Sequence, residues 1–286
     1  MRSPFAYVPR RGPLQSASPG AAVLYLGALA TVAFVFSNPL ILLATGVAVT
    51  CAGLLAGARR AVRAGLRMAL ALAALIVAVN ALIVSRGETV LARLGDWPLL
   101  GRVDVTAEAL VEGLALGLRA AVVMVAFAVY SACVDPDRVL RALRPVAGRS
   151  ALTASLVSRL VPVAAADAGR LRDAARLRGP GAAPVGRAPM ARRLLAGSLD
   201  RAVDVAATLE LRGYGHGGGR LRPERRGSRH DSRFRLVGAG LLALTLAAVL
   251  AGVGGFDAYP TVEIASDPAT LAFAGLIALS GLAPRP

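Results

Sequence analysis

The chain has 286 residues, is 56% hydrophobic and has a mean hydropathy of +0.60, too apolar for an ordinary soluble domain of this size. Its formal charge of +16 is carried by arginine alone, because the sequence contains no lysine. That absence excludes Schiff-base chemistry, a general-base lysine and the phosphate-binding lysine of a Walker A loop, so any ATP that drives this protein is bound by another polypeptide.

Taken in chain order, Arg2, Arg10 and Arg11 precede the first apolar run. That run is long enough to stay in a bilayer and is followed by no small-residue cleavage site, so it reads as a transmembrane helix and not as a cleaved signal. Six apolar runs follow one another, at residues 21–36, 39–57, 66–84, 113–134, 234–253 and 269–282, the last being the shortest. Ser37-Asn38-Pro39 joins the first two as a tight hairpin. The expected fold class is all-α: a polytopic membrane protein with five to six transmembrane helices. It divides into residues 1–134 (four spans), a basic cytoplasmic region at 135–233, and residues 234–286 (the remaining spans).

Charge in the connections supports this map. Arg59, Arg60, Arg63 and Arg67 fall between the second and third spans, and residues 135–233 hold twenty arginines against nine acids. Residues 85–112 carry three arginines against five acids, and the segment after the fifth span has Asp257, Glu263 and Asp267 without a base. Arginine concentrates on the cytoplasmic side, so both termini and the long basic region are expected inside and the other two connections outside. Trp97 and Tyr259 read as interfacial anchors, and Arg119 as a cation near the outer end of the fourth span, snorkelling to the interface. Cys51 and Cys133 share no CxxC or other ligand spacing and read as small buried hydrophobes. His216 and His230 have no second ligand nearby, so no metal site and no cofactor are expected.

The basic region carries its own helices. Asp135-Pro136-Asp137 is a helix start, with proline at the first position and acids at the positive end of the dipole, and the first helix should end near Val146. A second should run over residues 150–178, bent near Arg159 and Pro162, and end at Gly179-Pro180-Gly181. A third should run over residues 190–212, with Leu195, Leu199, Val203 and Ala206 on one stripe, and end at Gly213-Tyr214-Gly215. Residues 216–233 read as a Gly- and Arg-rich loop. Asp167, Asp173, Asp200, Asp204 and Glu210 could suggest a catalytic carboxylate set. Their arginine-rich helical setting makes intrahelical ion pairs the better explanation.

The second and third helices close alike, with Leu177-Arg178-Gly179 and Leu211-Arg212-Gly213, 34 residues apart. Arginine in a last turn followed by glycine is ordinary for one helix. Two such endings in one cytosolic region suit docking to two similar partners through carboxylate-binding guanidinium forks. Together with Asp-Pro-Asp-Arg-Val-Leu-Arg-Ala-Leu from Asp135, Ser158-Arg159-Leu160-Val161-Pro162 and Gly197-Ser198-Leu199-Asp200-Arg201-Ala202, these endings make the chain resemble a known family. It is similar to the transmembrane component of energy-coupling factor transporters, the EcfT/CbiQ family. The resemblance implies a non-catalytic subunit of an ABC-type importer for vitamins or transition-metal ions. It also implies crossed cytoplasmic coupling helices whose Arg178 and Arg212, with Gly179 and Gly213, contact two ABC-type ATPase subunits. A separate substrate-binding S component would sit against the membrane helices. Asp200, Arg201, Glu210, Leu177 and Leu211 are supporting positions of those helices. Where the family has alanine before each Arg-Gly, this chain has Leu177 and Leu211.

A stand-alone secondary transporter or channel is the alternative, weakened by spans almost free of charge and by the lack of two similar hydrophobic halves. A membrane-tethered nucleic-acid binder is electrostatically possible. Only Tyr214 is aromatic between residues 135 and 233, however, so base stacking has no support, and the basic region reads as bound to the lipid bilayer surface and not to nucleic acid.

Overall fold

The computed structural model describes residues 7, 12–84, 87, 89–97, 101–179, 186–211, 228 and 230–285; within these, the side chains of 94–97, 101–103, 141, 143–152 and 155 are not described. The chain divides into two compact units, residues 1–139 with 227–286, and residues 140–226.

The larger unit contains α1 (Pro13–Ser16), α2 (Pro19–Val35), α3 (Pro39–Leu55), α4 (Arg59–Ile83), α5 (Ala107–Cys133), α8 (Asp231–Leu250) and α9 (Pro268–Ser280). Local sequence explains the starts. Ser18 and Asn38 cap α2 and α3 through their side-chain oxygens, and Pro19 and Pro39 occupy first-turn positions where a missing N–H loses nothing. Thr106 caps α5 in the same way, with Glu108 in the first turn. By length and composition α4, α5 and α8 can cross a bilayer, and α2, α3 and α9 are shorter apolar helices. The protein is thus an all-α membrane protein, with its apolar helices where the hydropathy placed them.

Three features of this unit differ from expectation. The four arginines expected in the connection before the third span lie on α4 itself. Arginine is a good helix former, and on α4 the buried Ala61, Val62, Gly65 and Ala69 take one face while Arg59, Arg60, Arg63 and Arg67 stay exposed. Within residues 85–112, read as an outside connection, β1 (Val90–Trp97) and β2 (Gly101–Thr106) pair antiparallel, with register shifts at Val90/Ala92 and Arg93/Asp96. Arg119, expected to snorkel outward, turns inward: its guanidinium donates to Ser37 Oγ at 2.7 Å and to the Phe36 carbonyl at 3.3 Å. It thereby fastens α5 to the α2–α3 turn, whose helix-terminal carbonyl has no intrahelical donor.

The core of this unit is built from small residues that let helices approach closely. A Cβ on Gly117 of α5 would lie 3.1 Å from Ala73 of α4, one on Gly238 of α8 3.0 Å from the Leu24 backbone of α2, and one on Gly281 2.6 Å from Ala48 of α3. Tyr25, fully buried, stacks at a tilt on Phe234 with centroids 5.5 Å apart and donates its hydroxyl to the Ser280 carbonyl at 2.9 Å, tying α2 to α8 and α9. Asn38 is also fully buried; its amide donates to the carbonyls of Gly255 and Ala265 at 3.2 and 2.9 Å, flanking the short pair β3 (Phe256–Asp257) and β4 (Glu263–Ile264). Asp231 receives the Ser18 amide at 2.6 Å, so one carboxylate serves the starts of both α2 and α8. Cys133 is buried as expected, while Cys51 is only half-buried.

The second unit contains most of α6 (Pro136–Arg176) and α7 (Arg187–Leu211). Asp135 Oδ1 accepts the Asp137 amide at 2.9 Å and Pro136 opens the helix, as the sequence indicated. The break expected near residues 147–149 is absent: one helix of 41 residues continues through Pro145 and Pro162. Flanking alanine, leucine and arginine have high helix propensity, so the ladder continues around each lost N–H.

Candidate functional site

The end of α6 follows from its sequence. The Leu177 amide still reaches the Asp173 carbonyl at 3.1 Å, and the chain leaves the helix at Gly179 with φ of +88°. That left-handed conformation is cheap only for glycine, and a Cβ there would meet nothing, so glycine serves the turn and not a tight contact. Arg178 is therefore presented at the last turn on the surface, with Leu177 beside it 87% exposed. At the end of α7, Leu211 is 89% exposed. Arg212 and Gly213, which complete the second ending in the sequence, lie outside the described residues. Both leucines are thus exposed among the described residues.

Between these endings α6 and α7 meet through charge. Asp167 accepts from two guanidiniums: Oδ1 from Arg170 of its own helix at 2.7 Å, and Oδ2 from Arg201 of α7 at 2.9 Å. The hydrogen bond from Arg201 first, then the charges of Arg201 and Arg170, hold the Asp167 carboxyl below the ordinary aspartate range. The sequence pointed only to intrahelical pairs. Asp173 does pair with Arg176, at 3.9 Å, but Asp167 also reaches across to the other helix, and Asp200, Asp204 and Glu210 are exposed and form no ion pair among the described residues. A signal existed: Asp167 and Arg201 are 34 residues apart, the same separation as the two Arg-Gly endings.

The apolar stripe of α7 is present but unburied. Leu195, Leu199 and Val203 are exposed, and the described residues of α7 include none that is buried. Val157 and Val161 of α6 are exposed likewise. Among the described residues no three His, Cys, Asp or Glu side chains gather into a metal-binding cluster. His230 sits at the start of α8, and His216 lies outside the described residues.

Two helices with little buried apolar surface among their described residues thus end in exposed leucines, Leu177 and Leu211. The sequence profile of a family described as CbiQ, cobalt transport protein, matches residues 11–223, from before α1 to beyond α7. No curated protein matches the chain.

Proposed function

Because the chain belongs to the CbiQ family of cobalt transport proteins, we propose that it is the energy-coupling membrane subunit of an ECF-type ABC importer. In this reading α6 and α7 are coupling helices, and Arg178 with Gly179 and Arg212 with Gly213 engage two cytoplasmic ATPase subunits. A separate S component binds the transported vitamin or transition-metal ion, with cobalt the substrate that the family's description favours. The chain itself hydrolyses nothing: nucleotide is bound by its partners, in keeping with a sequence devoid of lysine.

The observation that carries this is the end of α6, where a left-handed glycine sets an exposed arginine on the surface in a motif repeated 34 residues later. A planar guanidinium in that position can grip a carboxylate on a partner bidentately. Changing both residues, Arg178→Glu and Arg212→Glu, should strip the ATPases from the detergent-solubilised complex and abolish transport. A doubly substituted complex that keeps its ATPases and its uptake rules the assignment out. The alternative of a stand-alone carrier would be revived by nucleotide-independent uptake in liposomes containing this chain alone.

A further inference from the structure

We infer that Asp167 and Arg201 are positioning residues that fix where α6 and α7 meet, so that the two arginine-bearing ends stand at a set separation. This deepens the reading of Arg178 and Arg212 as docking ends and rests on it.

Three observations converge. First, the two helices are not held together by a shared apolar core. The described residues of α7 include none that is buried, and its leucine stripe faces outward. Second, the tie that is present is charged and shared: one carboxylate divided between Arg170, which steadies it on α6, and Arg201, which reaches over from α7. Asp167 and Arg201 are partly shielded, at 26% and 36% side-chain exposure, whereas the neighbouring Arg176–Asp173 pair is at 83% and 73%. Partial shielding and short contacts make the former the stronger interaction. Third, the meeting point is symmetric along the chain. Leu177 lies ten residues beyond Asp167, and Leu211 ten beyond Arg201. Each end thus projects about 15 Å from the tie at the helical rise per residue. Equal arms from this charged contact give two similar partners equivalent handles.

The test measures the distance between the ends on the full chain in lipid nanodiscs, without ATPases. Spin labels are placed at Leu177→Cys and Leu211→Cys, with Cys51 and Cys133 replaced by alanine. The unsubstituted pair should give one narrow distance distribution. Asp167→Asn and Arg201→Gln should each broaden it by about 5 Å or more, the end displacement that a rotation of about 20° produces on such an arm. Their combination should broaden it no further, because both remove the same contact. Arg201→Lys, which keeps a donor for the single contact, should restore most of the narrow distribution, and Asp173→Asn should leave it unchanged. A single substitution without effect, additive broadening, or equal broadening by Asp173→Asn would overturn the inference. Since no ATPase is present, these outcomes are independent of whether ATPases dissociate from the Arg178→Glu, Arg212→Glu complex, so the two readings can fail separately.

Discussion

At the scale of single residues, the chain uses charge in two different ways. In the membrane unit, Arg119 and Asp231 satisfy backbone groups at helix ends, where an apolar surround makes an unpaired donor or acceptor expensive. In the second unit, Asp167 is partly shielded between Arg170 and Arg201, which hold its carboxyl below the ordinary value of 3.8. A carboxylate with a depressed folded-state pKa contributes stability above its unfolded value and loses that contribution as pH falls through the folded one. The contact of Asp167 with Arg170 and Arg201 should therefore be intact from neutrality down to about pH 4 and be released only below the ordinary aspartate value. Distance broadening between ends labelled at residues 177 and 211, followed against pH, should show a transition below 3.8 that disappears in Asp167→Asn. A transition centred above 3.8 would contradict the structure.

At the scale of elements, helices in the larger unit touch where a side chain has been removed. Gly281, just after α9, faces Ala48 of α3 so closely that a Cβ would lie 2.6 Å from its backbone carbonyl oxygen. Backbone cannot give way as a flexible side chain can. Gly281→Ala should therefore lower stability by about 1–3 kcal/mol, the usual effect of overpacking. Gly240 on α8 has nothing within 4 Å of its would-be Cβ, and Gly240→Ala should be neutral or mildly stabilising through helix propensity. Thermal unfolding of the two variants in detergent should separate them in that order; equal stability would mean that α9 does not rest on α3 as described. The same scale shows why two elements escaped the sequence. The β1–β2 hairpin lacks strict alternation and is bulged, so its pairing is set by partner strands and not by period. The unbroken α6 passes Pro145, Gly148, Pro162 and Gly169, which, read singly, are stop signals.

For the whole molecule, we propose from the arginine asymmetry and the alternation of apolar helices that both termini and residues 140–226 lie on the cytoplasmic side. In a background without Cys51 and Cys133, Leu177→Cys should react with a membrane-impermeant maleimide only after the membrane is opened. Val262→Cys, in the acidic segment between α8 and α9, should react from outside in intact cells. The reverse pattern would invert the topology and remove Arg178 from the compartment where ATPases reside.

The sequence by itself determined the class of the protein, because bilayer spans, arginine-rich connections and the Leu-Arg-Gly endings are local patterns that need no partner to be read. It determined the start of α6 at Asp135-Pro136 for the same reason: the Asp135 carboxylate serves a backbone amide two positions away. Only the tertiary structure decided that Arg119 turns inward to the α2–α3 turn, that Asp231 serves two helices, and that Asp167 pairs across to Arg201. A side-chain charge can satisfy any donor or acceptor within reach. Which one it meets depends on how distant segments are brought together, and no local spacing records that.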